Sequence, residues 1–226
     1  MKKSSTAWFI PKIWMSCFFL CFLLPQLAQA QNSSFEKKLN LALAHIENHK
    51  SFQVEFQQEA YSAMRDKTSL SQGILKIQAP KSWLFEVQKP RSEIYMSNGK
   101  DFWKYVPDLK HAQHLKGNSL DLDYLSLLTN PKSIRKIYTI SPWPTSEPHP
   151  AENAEDVSIK LERREDNSQK VLYAILNVRK GFVEELRVVQ SNGNRVRLLF
   201  SNNTDQKFNE KTFSFVPPEG IVIDSN

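Results

Sequence analysis

The 226-residue chain has little cysteine, little glycine and no large excess of one charge. Cys17 and Cys21 both lie among residues 1–30, which excludes a disulfide scaffold or a cysteine metal site in the rest of the chain. Six glycines exclude a collagen-like chain. The formal charge of +6 includes three lysines of residues 1–30, so the remainder carries only +3. That surplus is too small to indicate nucleic-acid binding.

Long hydrophobic runs are also missing. The longest, Ile13–Leu24, is too short to cross a bilayer comfortably. It follows basic residues, Pro25 ends it, and Ala28-Gln29-Ala30 fits the small-x-small cleavage pattern of secretory signals. We therefore predict that residues 1–30 are a cleaved signal peptide. Residues 31–226 would then form one domain exported to the periplasm.

Two helices are predicted after the signal. Ser33 and Glu36 fit a capping box at the start of a helix over residues 34–49. Apolar residues recur there at helical spacing, namely Phe35, Leu39, Ala42, Leu43 and Ile46. A short second helix is predicted near residues 122–128, where leucines recur every three residues before Asn130-Pro131.

Alternating apolar and polar residues predict a meander of about ten strands, drawn from twelve candidate segments. The alternating segments are 52–56, 70–78, 83–87, 93–97, 101–106, 111–116, 135–140, 157–163, 171–178, 183–190, 195–202 and 212–216. Asn98-Gly99 favours a type I′ hairpin, and the proline-rich residues 141–150 favour a semi-rigid connection. The fold class is mainly β with helices (α+β). So large an antiparallel sheet closes or nearly closes, and the helices cover its mouth or fill its interior.

Residues that could act in catalysis or bind a metal are few. His45 and His49 are one helical turn apart, and His111 and His114 form an H-x-x-H pair. A zinc site needs three or four ligands, and a strand would place the second pair on opposite faces. We interpret all four as solvated or rim histidines. No G-x-S-x-G or phosphate-binding glycine loop is present, so no catalytic residue, metal or cofactor is predicted.

Aromatic residues are dense on the predicted strands between residues 83 and 105. They are Trp83, Phe85, Tyr95, Phe102, Trp103 and Tyr105. Two interpretations stay open: these side chains fill an ordinary core, or some of them line an apolar cavity that the helices seal.

A series of motifs resembles one family over nearly the whole predicted mature chain. Gly73–Ile77, Ala79-Pro80, Trp83–Phe85, Pro90, Ile94, Ser97–Lys100 and Phe102–Pro107 follow in order, and Phe213–Ile221 (FSFVPPEGI) ends the series. Together they resemble LolA, the family of periplasmic outer-membrane lipoprotein carriers. This resemblance implies an unclosed antiparallel barrel with a helical lid over an apolar concave face.

The resemblance also implies partners and site residues. A carrier of this family takes acylated lipoproteins from an inner-membrane ABC-type releasing complex and passes them to the outer-membrane receptor LolB. It acts as a monomer, is not an enzyme and touches membranes only transiently. The implied cavity residues are Trp83, Phe85, Val87 and Tyr95, and the implied lid residues are Leu39, Leu43, Ile46, Leu125 and Leu128.

The sequence departs from the family at one position. The resemblance implies an arginine that bonds the lid immediately before the proline matched by Pro80, but Ala79 stands there. This departure keeps a second hypothesis open, a LolA-like module that binds another envelope lipid. A periplasmic enzyme is the third hypothesis, and no specific motif supports it.

Overall fold

The structure, a computed structural model, describes residues 24–115, 123–144, 155–164 and 170–225. These residues form helices and one large sheet. The helices are α1 (Leu24–Asn48), α2 (Ser126–Thr129) and α3 (Ile134–Ile137). The strands are β1 (Ser51–Ser62), β2 (Lys67–Gln78), β3 (Ser82–Lys89), β4 (Glu93–Ser97), β5 (Phe102–Val106), β6 (His111–Leu115), β7 (Tyr138–Pro142), β8 (Asp156–Arg163), β9 (Lys170–Asn177), β10 (Phe182–Gln190), β11 (Arg195–Asp205) and β12 (Val222–Ser225).

The twelve strands of the described residues make a single unclosed sheet. Their order is β12-β6-β5-β4-β3-β2-β1-β11-β10-β9-β8-β7, so β12 and β7 are its edges. Neighbouring strands are antiparallel, except that β12 runs parallel to β6. The predicted fold class, mainly β with an unclosed antiparallel sheet and helices, is confirmed.

The chain divides into two compact units, residues 1–38 and residues 39–226. The whole sheet lies in the second unit, together with residues 39–48 of α1. The predicted boundary after Ala30 stays a prediction.

One face of the sheet, which we call the inner face, carries the main core. On β1 and β2 it presents Phe52, Val54, Phe56, Leu75 and Ile77, each at most 2% exposed. Strand registers continue this face across β11, β10, β9 and β8 through Leu198, Leu186, Ala174 and Ile159, all fully buried. A near-continuous apolar layer therefore runs across these six strands.

The opposite, outer face carries a smaller cluster over β9 and β10. Trp143, which follows β7, packs with Tyr173 and Ile175. Arg187 lies over the Trp143 ring, 4.8 Å from its centroid, and also pairs with the buried carboxylate of Glu185. Strands β8 to β10 are consequently buried on both faces. In β1, by contrast, buried residues alternate with half-buried or exposed ones over residues 51–57, and none is buried beyond Phe56.

The predicted start of the first helix is wrong. Helix α1, described from Leu24, runs through Ser33, so Ser33 is not an N-cap. Neither glycine nor proline interrupts residues 26–48, so the helix continues through the predicted cap.

The predictions around the second helix need correction. Asp123–Leu125 is a 3-10 turn and α2 covers only Ser126–Thr129. Pro131 does not stop the helical structure; it begins a further 3-10 turn that leads into α3. The predicted strand 135–140 therefore starts later, at Tyr138. We call residues 123–137 the short-helix segment.

Two other local predictions also fail. The loop after β4 has four residues, 98–101, and only Gly99 has a positive φ, so it is not a type I′ turn. The Asn98 side-chain oxygen accepts from the backbone N–H groups of Lys100 and Asp101 instead. The predicted strand 212–216 is replaced by a 3-10 turn over Glu210–Phe213, because the Asn209 side chain caps it.

The end of the chain adds the parallel edge strand β12, where the sequence indicated only an apolar tail. At the other edge, Pro142 ends β7, in agreement with the confinement of proline to sheet edges. Most of the proline-rich segment, residues 145–150, lies outside the described residues, so the predicted semi-rigid connection stays a prediction.

Candidate functional site

The four predicted cavity residues share the inner face of the sheet. Phe85 on β3 lies opposite Leu75 on β2 and opposite Tyr95 on β4. Because residues paired across an antiparallel ladder point to the same side, Tyr95 and Phe85 face the same way. Trp83 and Val87 lie two residues from Phe85 on the same strand and join that face.

These four side chains are buried to different degrees. Phe85 is 3% exposed and stacks on Phe56, with ring centroids 4.2 Å apart. Trp83, Val87 and Tyr95 are half-buried. Phe85 therefore belongs to the packed core, and the other three form its margin.

Tyr95 combines an apolar ring with one polar contact. Its hydroxyl donates to the Glu93 carboxylate over 2.6 Å. Burial, and then this hydrogen bond, raises the pKa of Tyr95 well above its usual value, so the phenol stays protonated and neutral. The inner face in this region offers apolar contact rather than an acid–base group.

None of the cavities described within residues 24–115, 123–144, 155–164 and 170–225 is lined by these four residues. One cavity of about 820 Å³ lies beside β10 and β11, and one of about 520 Å³ lies beside the start of β2. In this structure the protein's own side chains cover Phe85.

The predicted lid residues are largely buried. Leu39, Ile46, Leu125 and Leu128 are 0–4% exposed, and Leu43 is half-buried. A cavity of about 270 Å³ is lined by Ile46 of α1 and Leu128 of α2, together with Ala79 and Pro80 from the end of β2. The structure therefore brings residues of both predicted lid elements together at this end of the sheet.

The end of α1 is fixed to the β9–β10 turn by two histidines, which we call the histidine clamp. The His45 Nδ1–H donates to the Val178 carbonyl over 2.6 Å. His49 contacts the Lys180 carbonyl with Nε2 (3.1 Å) and the Asp205 carboxylate with Nδ1 (2.8 Å). Both nitrogens of His49 face acceptors, so the two bonds form together only when both nitrogens carry protons.

Packing reinforces the clamp. Gly181 has φ +68°, and a Cβ there would lie 2.8 Å from backbone and side-chain atoms of His45. The Phe182 ring lies 4.1 Å from the His49 ring, measured between centroids, and 5.7 Å from that of Phe52. Glycine is required at this position because the helix approaches the turn so closely.

The other side of α1 meets the short-helix segment through charged and polar groups, which we call the ionic seam. Glu47 pairs with Lys132 and with Lys50. These lysine side chains are 74% and 65% exposed. Arg135 donates to the Asn40 side chain over 3.0 Å. The hydrogen bond from Lys132 is the main cause that lowers the pKa of the Glu47 carboxyl.

The 270 Å³ cavity lies at this seam and includes Ala79, the position where the family resemblance implies an arginine. The Ala79 N–H donates to the Lys50 carbonyl over 2.7 Å, so its backbone is fixed although its side chain is small. Lys81, two residues on, lies against Gly99 of the β4–β5 loop. The Lys81 side chain therefore packs against the β4–β5 loop.

The remaining histidine pair is divided between two contacts. His111 pairs with Asp224 over 2.8 Å, and His114 pairs with Asp101 over 3.0 Å. Because β6 is a strand, these two histidines point to opposite faces. Among the described residues, no group of three or more His, Cys, Asp or Glu side chains is arranged to hold a metal ion.

The sequence did not indicate the ionic seam. Glu47 and Lys132 are far apart in the chain, and nothing in either local pattern shows that they meet. One sequence feature could have indicated that a charged contact forms here. Three cations lie close together near a predicted lid element, namely Lys132, Arg135 and Lys136.

No helix within the part of the chain that the structure describes is both long and apolar enough to cross a membrane. A family model described as "Outer membrane lipoprotein carrier protein LolA" matches residues 47–216, which include all twelve strands except β12. The chain belongs to the LolA family.

Individual relatives agree with this assignment. An outer-membrane lipoprotein carrier protein of Erwinia tasmaniensis is 22% identical over 177 residues, which are 77% of this chain and 81% of the relative. One of Xanthomonas oryzae is 25% identical over 171 residues, 75% of this chain and 79% of the relative. The sequence resemblance to the LolA family is therefore confirmed.

One solved structure shares the fold of this chain. An uncharacterized conserved protein of Thermus thermophilus superposes with a TM-score of 0.52 at 8% identity, covering 85% of this chain and 99% of its own.

Proposed function

We propose that this protein is a periplasmic carrier that binds the acyl chains of lipoproteins and keeps them out of water between the two membranes. The observation that supports this most is the family match over residues 47–216, which coincides with a sheet whose inner face is apolar. Each acyl methylene exposed to water costs about 0.8 kcal/mol, so a two- or three-chain anchor costs tens of kcal/mol. Transfer of a lipoprotein through water without a carrier would therefore be negligible.

In this proposal the inner face takes the acyl chains. Trp83, Val87 and Tyr95 form its half-buried margin and Phe85 its packed floor. The lid residues Leu39, Leu43, Ile46, Leu125 and Leu128 cover that face when no cargo is bound. Acyl chains that enter would replace apolar side-chain contacts with apolar cargo contacts.

The proposed partners are those that the family resemblance implies. An inner-membrane ABC-type complex releases the lipoprotein and supplies the energy, and a LolB-type receptor at the outer membrane accepts it. The carrier acts as a monomer, without catalysis, and touches membranes only transiently.

Release from membranes tests the carrier role. The purified protein is mixed with membrane vesicles that contain the releasing complex, ATP and a fluorescent triacylated lipoprotein. We expect the lipoprotein to appear in the supernatant in a complex with this protein. A releasing complex that works with another carrier, but never forms this soluble complex, contradicts the proposal.

A matched pair of variants tests the role of the inner face. Val87 and Ile94 are both half-buried, and each lies opposite a glutamate across the β3–β4 ladder. Val87 points to the inner face and Ile94 to the outer face. We expect Val87→Lys to weaken binding of a fluorescent lipopeptide, because a charge buried beside acyl chains is costly. Ile94→Lys should leave binding unchanged. Equal affinity in both variants would show that Val87 does not contact the acyl chains.

A second candidate function is favoured by Ala79 and the cavity beside it. A carrier without the family arginine could accommodate another envelope lipid. Lipid identification on protein isolated from its own periplasm separates the two functions. Recovery of a glycolipid without lipoprotein supports the second candidate.

A further inference from the structure

Four hairpin turns lie side by side at one end of the sheet. They join β10 to β11, β1 to β2, β3 to β4 and β5 to β6, and these pairs of strands are consecutive in the sheet order. Because each of these strands is antiparallel to its neighbours, alternate connections along the chain lie at the same end. We call the turns with their flanking residues the cationic end of the sheet, which comprises residues 63–67, 89–92, 107–110 and 191–195.

The excess positive charge of the chain is concentrated in these turns. They contain six exposed cations but only two carboxylates, Asp66 and Asp108. The resulting surplus of four exceeds the +3 of residues 31–226, so the rest of that segment carries a slight negative charge. The six cations are Arg65, Lys67, Lys89, Arg91, Lys110 and Arg195.

Neighbouring side chains do not neutralise these cations. Within the described parts of the chain, no ion pair includes any of the six. At the opposite end of the sheet, by contrast, Lys50, Arg179 and Lys180 each pair with a glutamate. The positive charge of the cationic end is therefore available to a ligand outside the protein.

Apolar side chains project between these cations. Met64 in the β1–β2 turn is 90% exposed, and Leu109 in the β5–β6 turn is 68% exposed. A single exposed apolar residue is ordinary on a protein surface. Apolar side chains that project from a cationic surface, however, are typical of proteins that bind at the boundary between lipid headgroups and acyl chains.

The composition of the cationic end favours a lipid surface over a protein partner. Protein interfaces are enriched in aromatic residues and depleted in lysine. The four turns contain no aromatic residue, and three of their six cations are lysines. Anionic headgroups require positive charge near the surface but no fixed geometry, which suits flexible side chains spread over separate turns.

We propose that the cationic end docks this protein on an anionic phospholipid surface. Met64 and Leu109 enter the headgroup region, and the cations beside them contact lipid phosphates. The inference goes beyond the proposed function, because the cationic end includes none of the inner-face residues assigned to acyl chains. Docking and lipoprotein binding can therefore be tested separately.

Vesicle binding without any lipoprotein tests the docking surface. The purified protein is sedimented with vesicles of phosphatidylcholine alone or of phosphatidylcholine mixed with phosphatidylglycerol. We expect at least about tenfold tighter binding to the anionic vesicles at low ionic strength, and weaker binding as salt is added. Equal binding to both vesicles, or no binding to either, overturns the inference and leaves the carrier role untouched.

A matched pair of double variants tests the location of this charge. Arg65→Gln with Lys67→Gln removes two cations from the cationic end. Lys81→Gln with Lys100→Gln removes two exposed cations from turns at the opposite end. We expect the first variant to bind anionic vesicles at least about fivefold more weakly and the second to change less than about twofold. Equal losses would show that net charge, rather than this surface, determines binding.

A fluorescent label tests whether the β1–β2 turn enters the lipid. Cys17 and Cys21 are replaced by serine, and an environment-sensitive fluorophore is attached to Met64→Cys or, as the control, to Lys100→Cys. Anionic vesicles should shift the emission of the label at position 64 to shorter wavelength and leave that at position 100 unchanged. An equal shift at both positions contradicts the proposed orientation. No shift at position 64 excludes insertion and would favour an acidic protein partner instead.

Discussion

The C-terminal part of α1 joins two regions that are built from different interactions. Toward β10, a glycine allows close approach, and histidine side chains bond backbone carbonyls. Toward the short-helix segment, Glu47 and two lysines pair near the surface, beside a cavity. Close packing and hydrogen bonds to the backbone hold a helix in one place, whereas exposed ion pairs allow it to separate at low cost.

The two sides of residues 39–48 are therefore held by different kinds of interaction. The following substitutions test the two sides separately, starting with the largest expected loss of stability.

Gly181→Ala should destabilise the protein most. A methyl group would meet His45 at 2.8 Å, and overpacking of this kind costs roughly 1–3 kcal/mol, in addition to about 1 kcal/mol for the left-handed backbone. Gly220→Ala is the matched control, because Gly220 has a similar φ of +75° and no atom near its Cβ position. Denaturant unfolding should show the larger loss for Gly181→Ala; equal losses would mean that the clamp is not closely packed.

His45→Ala should have the next largest effect. It leaves the Val178 carbonyl without this donor, and we expect the free energy of unfolding to fall by about 1–2 kcal/mol. His111→Ala removes the contact with Asp224 at the sheet edge and should cost less than about 1 kcal/mol. Urea unfolding of both variants measures the difference, and a larger loss for His111→Ala contradicts the comparison.

Lys132→Gln should have the smallest effect on stability but should clearly change the pKa of Glu47. The seam lowers the pKa of Glu47, so its contribution is present above the ordinary glutamate pKa and is lost as the pH falls through the lowered value. The charged groups facing Glu47 are Lys50 and Lys132, with His49 lining the same cavity. An NMR titration should show the Glu47 pKa rising in the variant, while the thermal unfolding temperature at neutral pH falls only slightly. An unchanged Glu47 pKa would contradict the pairing of Glu47 with Lys132.

Regular patterns made much of the fold predictable. Strands β4 and β8 to β10 lie within a residue or so of their predicted bounds because alternation and turn residues mark them. Prediction from the sequence was wrong where a distant contact or a side-chain hydrogen bond determines the local structure. Ser33 lies inside a helix that begins earlier, and the Asn209 side chain sets a turn where alternation indicated a strand.

The candidate site was predictable only in part. The alternation of β3 placed Trp83, Phe85 and Val87 on one face, and the register of β4 then added Tyr95. Long-range contacts could not be predicted in this way. Neither the pairing of Glu47 with Lys132 nor the contact of His45 with Gly181 leaves a local trace, because each joins segments far apart in the chain.

Photolabelling tests the central claim most directly. A triacylated lipopeptide with a photoreactive group on one acyl chain is bound to the protein and irradiated, and the labelled residues are identified by mass spectrometry. We predict labels on inner-face residues, foremost Trp83, Val87 and Tyr95. Labels confined to outer-face residues such as Ile94 and Trp103 would contradict the claim that this face receives acyl chains.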